Sequence, residues 1–60
     1  MTVKTLLNAL DTIVDVVEFY HGDYFFDFSA DVYNAMKVAG KVKKFRVYEG
    51  DDSVILMVVM

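Results

Sequence analysis

Two groupings of side chains in this sixty-residue chain are of the types needed for proton transfer. His21 stands two residues before Asp23, across Gly22, and an imidazole oriented by a carboxylate is a familiar general base. Glu18 and Asp27 flank the same turn, so a hairpin would set them nearly opposite each other. Paired carboxylates can share a proton or hold a cation. However, no Ser or Cys nucleophile accompanies His21 in a recognisable setting, and histidines are common in turns, so no catalytic residue is assigned. The Glu18–Asp27 pair is expected to be relieved by Lys44 or Arg46, or by a partner. One histidine and no cysteine leave neither an imidazole cluster nor a thiolate for a metal. Asp51-Asp52 lacks the downstream ligands of a calcium loop. Gly22, Gly40 and Gly50 are isolated, without phosphate-loop spacing, and no cofactor is expected.

A third grouping is basic. Lys41, Lys43, Lys44 and Arg46, with Phe45 and Tyr48 interleaved, have the composition of a strand that meets nucleic acid. Strand alternation turns Phe45 away from Lys44 and Arg46, and a net charge of −3 opposes phosphate binding. A nucleic-acid-associated regulator built on Lys41–Arg46 is therefore the second reading. The charges are unevenly placed: residues 1–40 are acidic and residues 41–60 slightly basic. That pattern suits solvated faces, or an acidic half that meets a basic partner.

Sixty residues make one domain with a small core, burying only about 60% of the surface its unfolded chain exposes. Such domains usually add disulfides, a metal or a second subunit. Without cysteine or a histidine cluster, a second subunit is the remaining device. The hydrophobic fraction of 57% points the same way, because the excess apolar surface needs somewhere to go. The closing run Ser53–Met60 is apolar at seven of eight positions. It is far short of the ~20 residues of a membrane span. Its β-branched content, after Gly50-Asp51-Asp52, predicts a strand with both faces covered, or with one face covered and the other awaiting a partner. The N-terminus lacks the long apolar core and small-residue cleavage site of a signal peptide, so a cytoplasmic location is the default expectation.

Taken in order, the chain opens with a helix. Thr2 is its N-cap, Val3, Leu6, Leu7 and Leu10 form an apolar stripe, and Asp11-Thr12 end it. From Ile13 the period becomes two, and Ile13–Tyr20 and Tyr24–Phe28 read as a hairpin around His21-Gly22-Asp23. A two-residue loop, either His21-Gly22 or Gly22-Asp23, pairs odd with even positions. Val17 and Phe19 then share the core face with Tyr24, Phe26 and Phe28. Val14, Val16, Glu18 and Tyr20 share the other with Phe25 and Asp27. Ser29 is the expected cap of a second helix over Ala30–Ala39, with Phe28 and Tyr33 at staple spacing, Lys37 in the last turn and Gly40 at C′. Lys41–Glu49 and the closing run form a second hairpin, with Phe45 and Val47 facing the core beside Val54, Leu56 and Val58.

This is an α+β pattern, α-β-β-α-β-β, with two helices on one face of a four-stranded, mostly antiparallel sheet. Nothing remains to cover the other face. The residues expected to form an interface there are Glu18, Tyr20, Phe25, Asp27, Lys44, Arg46, Tyr48, Ile55, Met57 and Val59. An apolar patch of this kind generally marks an interaction surface, and the expected partners are a second copy and another protein rather than a membrane or nucleic acid.

The opening Met1-Thr2-Val3-Lys4-x-Leu6-Leu7, the hairpin, the helix start at Ser29 and the apolar closing strand together resemble short phage and prophage accessory proteins of low-GC Gram-positive bacteria. The resemblance spans nearly the whole chain, through helix starts and strands and not through functional residues. It implies a small, non-catalytic interaction protein, and in some members an anti-CRISPR or other anti-defence inhibitor that occupies a surface of a host nuclease. The aromatic run at 24–28 exceeds what that group leads one to expect.

Overall fold

A computed structural model of the chain describes all residues 1–60. The elements follow as α1 (Val3–Ala9), β1 (Val16–His21), β2 (Phe25–Asp31), α2 (Val32–Ala35), β3 (Lys44–Glu49) and β4 (Val54–Val59). The fold is α+β, with both helices on a four-stranded sheet ordered β2-β1-β4-β3. β1 runs parallel to β4, and the two hairpins are antiparallel. Composition accounts for the order. β4 is apolar on both faces and β1 interrupts its apolar run with Glu18 alone before His21 at its end, and these two take the centre. β2, with Asp27, Ser29 and Asp31, and β3, with Lys44, Arg46 and Glu49, carry their charges at the edges.

Thr2 caps α1 as expected, its hydroxyl accepting from the Thr5 amide at 3.2 Å. Val3 and Leu6 on the inner side of α1 are buried with Val14, Val17, Phe19, Ala35, Leu56 and Val58 in one core. The central seam is pinned at its start by Asp15. The Asp15 amide donates to the Val54 carbonyl at 2.9 Å, and the Asp15 carboxylate accepts from the Val54 amide at 2.7 Å. At the far end the Met60 amide donates to the Tyr20 carbonyl at 3.0 Å and extends the ladder past β4.

The structure corrects the first hairpin. His21 pairs with Phe25, so the loop has three residues, Gly22, Asp23 and Tyr24. Gly22 and Tyr24 take positive φ, +56° and +69°. A β-bulge then restores the original parity, because Tyr20 pairs with Phe26 whereas Phe19 pairs with Phe28, leaving Asp27 as the extra residue. Phe19 and Phe28 do share the helix-covered face, stacked at 4.6 Å, but Phe28, expected in the core, stays 42% exposed on the edge strand. Phe26, expected in the core, instead joins Tyr20 on the outer face and is 56% exposed. Phe25, expected on the outer face, is opposite His21 and 65% exposed, and Tyr24 is exposed at the tip. Glu18 lies across from Ser29 and not from Asp27.

The second helix is also shorter than expected. Ser29 and Ala30 remain in β2, opposite Glu18 and Val17, so Ser29 is no cap and no staple joins Phe28 to Tyr33. Asp31 takes the cap position, but its carboxylate accepts from the Asn34 side-chain amide and caps no backbone amide. That hydrogen bond holds the Asp31 carboxyl below the usual carboxylate range. The helix closes at Ala35, with Met36 as its C-cap, so Lys37 lies beyond it, its ammonium 4.2 Å from the centre of the Tyr33 ring. Gly40 is not the residue after the helix either. It is still needed as glycine, at φ +112° with the Met60 methyl 3.3 Å from where a Cβ would stand. The first and third strands begin later than expected, at Val16 and Lys44. Ile13 is exposed, and Val14, assigned to the outer face, turns into the core. Phe45, assigned to the core, lies on the covered side of edge strand β3 and is only half shielded.

Candidate interaction surface

The strand register lays the outer face out in three rows running from β2 to β3. The first is Asp31, Val16, Ile55 and Tyr48; the second is Ser29, Glu18, Met57 and Arg46; the third is Phe26, Tyr20, Val59 and Lys44. Of the expected surface residues, Glu18, Tyr20, Lys44, Arg46, Tyr48, Ile55, Met57 and Val59 thus come together on one face. Phe25 and Asp27 do not. Phe26 takes the aromatic position instead, because the three-residue loop exchanges it with Phe25 before the bulge restores the parity. Neither helix lies over these rows. Their side chains shield one another, most fully at Val59, which retains 6% of its exposure between Tyr20 and Lys44.

Glu18 organises the polar part of this face. Its Oε1 accepts from the Tyr20 hydroxyl at 2.9 Å and from the Tyr48 hydroxyl at 3.4 Å, so both phenols converge on one oxygen. These phenols take the place of the Lys44 or Arg46 partner expected for Glu18. Phe26 packs edge-on to Tyr20 at 5.6 Å and fixes that ring from the other side. Desolvation on the half-covered sheet pushes the Tyr20 phenol above its ordinary 10.0, helped by the hydrogen bond to Glu18 and by its charge. The Tyr48 phenol is raised in the same sense, by desolvation first and then by the charge and hydrogen bond of Glu18.

A pH dependence follows. Because the folded phenols lose their protons later than free tyrosine, their contribution to stability is complete below about pH 10 and is lost as pH rises through the raised values. Tyr20→Phe with Tyr48→Phe should therefore flatten the alkaline limb of stability relative to the parent chain. Near neutral pH, where both phenols are protonated in either state, the pair of substitutions should cost little. Denaturant midpoints of both proteins, compared at about pH 8 and at about pH 11, check this. Parallel alkaline losses would mean that the phenols do not couple to folding.

At the β3 end of the third row lies a recess of about 570 Å³, lined by Tyr24, Lys43, Lys44, Phe45, Arg46, Met57 and Val59. Tyr24 reaches it from the hairpin tip through its left-handed backbone, which brings the ring within 5.7 Å of the Lys44 ammonium. Three cations thus border an apolar floor made by Met57 and Val59. The recess was not read from the sequence. Only the consecutive aromatics at 24–28, too many for one core face, hinted that a ring would be left outside.

His21 lies outside this constellation, exposed in β1, with the Phe25 ring at 6.2 Å as its aromatic neighbour. No three His, Cys, Asp or Glu side chains gather into a group that could hold a metal ion. No helix is long and apolar enough to cross a membrane. The chain matches no protein-family model, no curated protein and no solved structure.

Proposed function

We propose that this protein is a small, non-catalytic interaction protein whose uncovered sheet face binds protein, with the cytoplasm as its place of action. The observation that carries this reading is the collection of Tyr20, Ile55, Met57, Val59 and Phe26 into one surface that no helix covers, with Glu18 near its centre and Arg46 and Lys44 at its rim. Aromatic and arginine anchors inside a charged border are the usual composition of a binding hot spot. The core supports it too. Only nine residues of the chain are buried, so a contact that covers this face adds burial the monomer lacks. The resemblance to phage accessory proteins gives the reading its most concrete form, inhibition of a host defence nuclease by occupying part of its surface.

Tyr20→Ser and Met57→Ser test the face. Both should weaken association, with itself or with a protein target, by roughly tenfold or more while circular dichroism stays native. Association unchanged by both substitutions would remove this face from the function. The basic recess favours one second reading, a nucleic-acid-associated regulator using Lys43, Lys44 and Arg46. It requires binding of single-stranded DNA that falls steeply as salt rises.

A further inference from the structure

Charge and shape are distributed across the outer face in a self-complementary way. In every row the β2–β1 side is acidic or neutral and the β3 side basic or neutral: Asp31 and Glu18 lie on one side, Arg46 and Lys44 on the other. The third row also carries a projection at one end and a hollow at the other. The projection is Phe26, the hollow the recess between Tyr24 and Lys44 over Met57 and Val59. We propose that the outer face packs on the same face of a second copy, about a two-fold axis parallel to the strands. This rests on the reading of that face as an interaction surface and specifies its occupant.

The choice of axis follows from electrostatics. A two-fold perpendicular to the strands within the interface would lay Glu18 on Glu18 of the second copy, and like charges brought face to face are costly. A two-fold parallel to the strands keeps the rows in register and reverses them from side to side. Tyr20 then meets Val59 of the second copy, Val16 meets Ile55, and Glu18 meets Met57 with Arg46 one strand further on. Phe26 arrives over Lys44 at the recess, where a ring gains apolar contact and a cation on its face. Tyr48 comes opposite Asp31. Because both phenols bind Oε1 of Glu18, Oε2 remains available to the arriving guanidinium.

Four strands about 4.8 Å apart and about 20 Å long make a face roughly 20 Å square, below the standard size of stable interfaces, so a weak, micromolar dimer is expected.

Sedimentation equilibrium across the micromolar range provides the test, on the parent chain, Arg46→Glu, Glu18→Arg and the double exchange. The parent should approach twice the 6.9 kDa chain mass. Each single variant places like charges together twice per dimer and should weaken association by roughly tenfold or more. The double exchange recreates both attractive pairs and should recover most of that loss. A folded double variant that stays as weak as the single ones overturns the strand-parallel axis, as do single variants that associate like the parent. A parent that remains monomeric overturns the dimer, and the face is then judged by its binding to a foreign protein. Dimerisation that responds to Met57→Ser but not to the charge variants keeps the face and rejects the arrangement. Should Glu18→Arg fail to fold, Arg46→Glu and Phe26→Ala, both at exposed positions, decide the matter. Weakened association in both supports the dimer; parent-like association in either overturns it.

Discussion

Phe19→Ala should leave the chain unfolded at room temperature, whereas Phe26→Ala, seven residues further on in the same hairpin, should leave the monomer nearly as stable as its parent. Phe19 is buried on β1, stacked on Phe28 and surrounded by the side chains that join α1 and α2 to the sheet. Truncating a buried phenylalanine costs about 3–5 kcal/mol, through lost transfer energy and the cavity left behind. A domain of this size has only about 3–5 kcal/mol to lose. Phe26 projects from the opposite face and is more than half exposed, so its loss removes an edge contact with Tyr20 and little else. Thermal melts followed by circular dichroism at high dilution, where association does not contribute, would separate the two. A cooperative melt for Phe19→Ala close to that of the parent would show that the core does not rest on this ring.

The second large effect is expected one strand over, again as a contrast between faces. Leu56→Ala should cost about 2–5 kcal/mol. Leu56 is fully buried on the central strand, between Val17 on one side and Val47 on the other. The adjacent Met57 lies on the uncovered face, between Glu18 and Arg46. Met57→Ala should cost the dilute monomer clearly less than Leu56→Ala, because the Met57 side chain is only partly buried. Urea midpoints of the two variants give the comparison directly. If Met57→Ala is as damaging as Leu56→Ala, the outer face is covered within the monomer, and the surface on which the functional proposal rests does not exist.

These contrasts also show what could be read from the chain and what could not. The alternation in β3 and β4 is clean, and Leu56, Val58, Met57 and Arg46 take the sides that alternation assigns them. Around the first turn the reading fails locally and recovers. The expected two-residue loop is one residue too short, because Tyr24 adopts a left-handed conformation that non-glycine residues seldom take. The bulge at Asp27 then shifts the register by one residue and restores the parity. Two departures cancel, so Val17, Phe19 and Phe28 keep their assigned side while Phe25 and Phe26 exchange roles. Five consecutive aromatic and acidic residues, Tyr24–Phe28, offer no alternation that could have revealed it. At the second helix, Ser29 competes between capping and pairing. Cross-strand partners on β1 outweigh a single cap hydrogen bond, and β2 continues to Asp31. The recess depends on both irregularities together, which is why no periodicity announces it.

The parallel pairing of β1 with β4 has a mechanical consequence. The seam joins Val16–Tyr20 to Ile55–Val59, one segment near each end of the chain, and both strands point the same way. A pull applied at the start of β1 and at the end of β4 acts along the strands and in opposite directions. All the hydrogen bonds of the seam then share the load at once, in shear, and none can be peeled before the others. A pull across either hairpin would instead open its bonds one after another, like a zip. The sheet is thus built to resist tension along its chain far better than tension across its edges.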